Sequence, residues 1–68
     1  MTKLPRGINK AWNDTDPIEK AFIEKMIREL KDNTDESQAP ILSKLKETGL
    51  GISERFMVMN WLIEKIKK

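Results

Sequence analysis

Apolar residues recur at intervals of three and four through most of this chain, the spacing that lines up one side of an α-helix. The densest run is Ser53 to Lys68, S-E-R-F-M-V-M-N-W-L-I-E-K-I-K-K. Ser53 is the expected N-cap, because its hydroxyl can accept a hydrogen bond from one of the first unpaired amides. Ile52 and Met57 have the spacing of a hydrophobic staple around that cap. At about 100° per residue, Phe56, Val58, Met59, Leu62, Ile63 and Ile66 fall on one arc, the expected core face. Met57 and Trp61 fall on the opposite side, one turn apart, between Glu54, Glu64 and Lys68. A helix in a small bundle needs one apolar face, so this second stripe asks for a partner.

Upstream, Asp16-Pro17-Ile18-Glu19 predicts a helix start, with Asp16 as N-cap, Pro17 in the first position and Glu19 completing a capping box. The helix is expected over Pro17–Lys31. Ile18, Phe22, Ile23, Met26, Ile27 and Leu30 form its apolar arc, and Lys20, Glu24, Arg28 and Lys31 a solvated face. Asp32 to Gln38 reads as a polar loop. Its acids lack the spacing of a calcium loop, so no metal site is expected. A second helix is expected over Pro40–Thr48, since a residue before proline disfavours helical angles. Gly49 should end it in a left-handed conformation, with Leu45 and Leu50 in contact across the exit. The last helix, expected over Ser53–Ile66, follows after a turn of about four residues.

Residues 1–15 form an arm ahead of this three-helix domain of residues 16–68. Pro5 and Gly7 interrupt long helices there. Leu4, Ile8 and Trp12 still recur every four residues, which allows a helical turn over Ile8 to Asn13. Two roles are open for the arm. Trp12 can cover the open end of the core, or Ile8 or Trp12 can cover the Met57–Trp61 stripe. Otherwise the arm is free, and Lys3, Arg6 and Lys10 reach a nucleic acid or an acidic partner.

Composition narrows the chemistry. The chain has no cysteine and no histidine, which removes disulfides, the usual structural zinc sites and Cys/His or Ser/His nucleophiles. The carboxylates fall on caps and solvent faces, where nothing tunes them for proton transfer. No glycine-rich phosphate loop is present, and neither cofactor nor small-molecule substrate is inferred. A net charge of +2, with charged residues of both signs making up 35%, is unlike a polybasic tail. Lys65, Lys67 and Lys68 end the last helix. Its polar face also carries Glu54, Asn60 and Glu64, which argues against lying on a membrane. No stretch has transmembrane length and no signal-peptide pattern opens the chain, so a cytoplasmic setting is expected.

Residues Ile41 to Ile63, with K-E-T-G-L before the turn, resemble a helix-turn-helix. In that motif the second helix must present basic and polar residues to the major groove. Here it presents Glu54, Met57, Trp61 and Glu64, and only Arg55 and Asn60 could read bases. An αα-hairpin within a bundle accounts for the same pattern. The expectation is therefore an all-α, small three-helix domain with an N-terminal arm. It acts as a non-enzymatic protein-binding module, an adaptor, inhibitor or accessory subunit, able to self-associate as a homo-oligomer. Met57, Trp61 and Trp12 are its interface residues. The alternative is a dimeric DNA-binding protein using Lys3, Arg6, Lys10, Arg55 and Asn60.

Overall fold

The computed structural model describes residues 3–32 and 34–67, so Lys68 lies outside the described residues. The fold is all-α, as expected. Its elements are α1 (Arg6–Asn13), α2 (Pro17–Arg28), α3 (Asp35–Lys44) continuing into a 3-10 turn (Leu45–Thr48), and α4 (Ile52–Lys67). No strand occurs among the described residues.

The arm is itself helical, which adds a fourth helix to the expected three. Pro5 stands at the N-cap, where its fixed backbone suits a helix start, and its carbonyl accepts from Asn9 N–H at 2.8 Å. Gly7 falls inside this helix and does not break it. Ile8 and Trp12, one turn apart, are 7% and 3% exposed, so α1 is fastened by its apolar side. Thr15 closes it by donating its hydroxyl to the Ala11 carbonyl at 2.8 Å.

Each of the other starts shows what competed with the sequence pattern. Asp16 accepts from Ile18 N–H at 2.8 Å, as its cap role requires. Glu19 does not complete a capping box; its carboxylate lies 2.7 Å from Lys44 Nζ on α3. The second expected helix begins five residues early, at Asp35 where Pro40 was expected. Thr34 is its N-cap, accepting from Ser37 N–H at 3.2 Å, and the acids Asp35 and Glu36 suit the positive end of the helix. Asp32 holds this start together by accepting from Thr34 N–H, the Thr34 hydroxyl and the Ser37 hydroxyl at 3.2, 2.8 and 2.6 Å. That network outweighs the bias of Pro40, which sits inside α3.

Gly49 has φ 79°, the left-handed exit the sequence predicted. Leu45 and Leu50 are both buried beside it. The start of α4 is one residue earlier than expected. The Gly51 carbonyl accepts from Arg55 N–H at 2.9 Å, and Gly51 N–H donates to Glu54 Oε1 at 3.0 Å. Glu54 thus makes the back-bond of a capping box around Gly51, and Ser53 is not the cap. The staple is absent, because Ile52 lies in the first turn and is 69% exposed.

The core gathers Ile8 and Trp12 of α1, Ile23 and Ile27 of α2, Leu30, Ile41, Leu45 and Leu50, and Val58, Met59 and Leu62 of α4. Two polar ties fix how the helices run. Lys44, at the end of α3, reaches Glu19 in the first turn of α2. Lys67, at the end of α4, donates to the carbonyls of Arg28 and Leu30 at 3.3 and 2.6 Å. So α2 and α4 run parallel, with α3 antiparallel between them in the chain, and both begin at the same end of the bundle.

Candidate functional site

The three residues expected at a protein interface have different fates. Trp12 is in the core. Trp61 is half-buried and packs against the core, and Lys65 Nζ stands 4.8 Å from the centre of its ring. Met57 is 39% exposed. The expected stripe therefore presents one open side chain beside a partly covered indole.

The residues expected to read nucleic acid are spread over separate jobs. Lys10 pairs with Asp14 at 2.7 Å, and this contact holds its ammonium above the usual lysine range. Arg55 Nε donates to the Leu50 carbonyl at 2.8 Å, bracing the turn ahead of α4. Lys3, Arg6 and Asn60 are exposed. Glu54, one of the acids that argued against a DNA-reading helix, is the capping residue of α4.

Ile18, Phe22 and Phe56, expected on core arcs, face solvent, as does Ile52, expected in the staple. Ile18 and Phe22, one turn apart on α2, are 77% and 53% exposed. Ile52 and Phe56, one turn apart on α4, are 69% and 41% exposed. A signal for both was present. The apolar arcs of these helices each span nearly half the circumference, wider than the stripe of about 100° that one packed face requires.

The α2 pair belongs to a longer feature. Ile18, Phe22 and Met26 follow one another at four-residue intervals, so they form one row along α2, and Leu30, buried just past the end of the helix, continues it into the core. That row lies on the side toward α3. Lys44 Nζ stands 5.1 Å from the Phe22 ring centre, and Met26 and Leu30 line an open cavity of about 400 Å³ together with Pro40 and Ile41 of α3. Glu29, Lys31, Asp32 and Ser37 form the polar rim of that cavity. The hydroxyls of Ser37 and Thr34 donate to Asp32 and hold its carboxyl below the usual carboxylate range. Glu19, hydrogen-bonded to Lys44, holds that ammonium above the usual lysine range.

Among the described residues, no group of three or more acids is placed to hold a metal ion. No described helix is long and apolar enough to cross a membrane. No protein-family model, curated protein or solved structure matches this chain.

Proposed function

We propose that this domain is a non-enzymatic protein-binding module, an adaptor, inhibitor or accessory subunit working in the cytoplasm. One observation carries the reading: Ile18 and Phe22 stand 77% and 53% exposed at the head of an apolar row. Scattered single apolar side chains are normal on a surface, but a row at helical spacing beside a cavity is the form protein-binding grooves take. Aromatic residues supply much of the binding energy in such grooves. Duplex binding has less support, because Arg55 is spent on its own turn and Lys10 on Asp14.

The test compares three tagged forms as bait in the native lysate: wild type, the double variant Ile18→Ser/Phe22→Ser, and Met57→Ser. Both variants alter exposed side chains and should keep the helical circular dichroism of the wild type. A specific protein that the wild type and Met57→Ser retain and the double variant loses supports the module and its site. Capture that the double variant leaves intact sinks the site. Tight sequence-selective duplex binding lost on Arg55→Ala would put DNA first instead.

A further inference from the structure

Pro40 divides α3 into two unlike halves. It sits inside the helix and has no N–H, so the Glu36 carbonyl loses the bond that would carry the backbone ladder past this point. Beyond it, Ile41 and Leu45 are 1% and 0% exposed. Lys44 adds a second hold there, pairing with Glu19 of α2 at 2.7 Å and standing over the Phe22 ring. Ahead of it the picture reverses, because no described side chain between Lys31 and Pro40 is buried. The shorter helix α1, by contrast, has Ile8 and Trp12 as anchors.

We infer that residues 35–39 form a hinged lid, which opens as a unit about Pro40 while residues 41–45 stay seated in the core, and that Asp32 is its latch. The inference concerns motion within the chain and stands whether or not the domain binds another protein.

Three observations carry it. The first is the missing anchor. So short a piece of helix does not hold its shape by itself, since fixing its backbone costs more than its few bonds return. Burial of an apolar side chain normally supplies the difference, and residues 35–39 bury none. The second is the kind of bond at the start of α3. Asp32 Oδ1 accepts from Thr34 N–H, the Thr34 hydroxyl and the Ser37 hydroxyl, and the Thr34 carbonyl accepts from Gln38 N–H at 3.0 Å. The three bonds to Asp32 are exposed, so water can replace each of them at small net cost. The third is position. Ser37 and Pro40 line the cavity that also meets Met26, Leu30 and Ile41. Opening takes Ser37 off that rim, so the lid governs how much of the apolar floor meets water.

The test is native-state amide hydrogen exchange on the intact chain, read by NMR, with Asp32→Ala and Pro40→Ala beside the wild type. Both positions are exposed. The Leu45 amide, which donates to the Ile41 carbonyl, reports whether each variant keeps its fold. Gln38 and Ala39 should share one level of protection, about tenfold or more below that of Leu45. It should change little in dilute urea, because a local opening exposes little surface. Asp32→Ala should speed exchange at both residues about fivefold, the usual effect of a lost cap, and leave Leu45 alone. Pro40→Ala restores the missing N–H, so it should slow both about fivefold or more.

Three results overturn the inference. Protection at Gln38 and Ala39 equal to that at Leu45 means that this stretch opens only with the whole fold, and rejects the lid. Protection that climbs steadily from Gln38 to Leu45, unaltered by Pro40→Ala, is ordinary fraying of a helix end and removes the hinge. Exchange in Asp32→Ala that matches the wild type removes Asp32 as the latch.

Discussion

Leu4, Ile8 and Trp12 recur every four residues, and so do Ile18, Phe22 and Met26. The two rows have opposite fates. Ile8 and Trp12 are buried, whereas Ile18 and Phe22 are open to water. The residues are equally apolar, so hydrophobicity does not separate them. Connection does. The bend at Asp14–Asp16 is short, and it folds α1 back so that its row meets α4 and the core. The α2 row has α3 on one side, from which Lys44 reaches over the Phe22 ring, and Ile18 and Phe22 still stand largely in water. Spacing tells which side chains share a face, and the path of the chain decides whether that face has a neighbour.

The largest effect that can break this comparison is expected at Trp12. Trp12→Ala is predicted to cost roughly 3–5 kcal/mol by leaving a cavity in a small core. In a domain of this size that approaches the whole stability, so the thermal transition should fall steeply or disappear. Phe22→Ala is predicted to stay within about 1 kcal/mol, because the side chain is half exposed already. Equal losses in the two melts would show that the rows are not different in kind.

An intermediate effect is expected at Gly49, which sets where α3 leaves for α4. A Cβ there meets nothing within 4 Å, so the cost expected of Gly49→Val comes chiefly from the backbone at φ 79°. That strain is about 1 kcal/mol or more for a side-chain-bearing residue. An unchanged melting temperature would mean the exit relaxes to another conformation.

The smallest effect sharpens the rim of the open row. Asp32 has a folded pKa below its ordinary 3.8, so its contribution is present above that value and fades as the pH falls through the folded one. Asp32→Asn should therefore flatten the acid limb of the stability curve slightly and leave neutral-pH folding intact. An unaltered acid limb would show that the Ser37 and Thr34 bonds do not favour the ionised form.

Much of this architecture was legible in the sequence. The caps at Asp16 and the exit at Gly49 depend on local chemistry, and local chemistry is written in neighbouring residues. The start of α3 was misplaced because Ala39-Pro40 is a visible local penalty, while the Asp32–Thr34–Ser37 network that overrides it spans six positions. The start of α4 was misplaced because Ser53 and Glu54 both suit a cap, and only the backbone shows that Glu54 bonds back to Gly51. The site was the least legible part. The pattern of α4 alone leaves Trp61 open, whereas the folded chain supplies packing and Lys65 around it. The pattern of α2 alone puts Ile18 and Phe22 on the core side, whereas the folded chain leaves both exposed.

The parallel course of α2 and α4 has a consequence for the order in which the fold assembles. Antiparallel neighbours such as α3 and α4 meet through a short turn, and closing it costs little chain entropy. Parallel neighbours need a return path, and Lys67 meets Arg28 and Leu30 across 39 and 37 residues. Closing that span is the slow search, and it restricts the chain before any contact rewards it. The α3–α4 hairpin should thus be largely formed in the folding transition state, and the α2–α4 seam should close after it. Folding rates measured for Leu45→Ala and Ile27→Ala report on the two steps. Leu45→Ala is expected to slow folding, and Ile27→Ala mainly to speed unfolding.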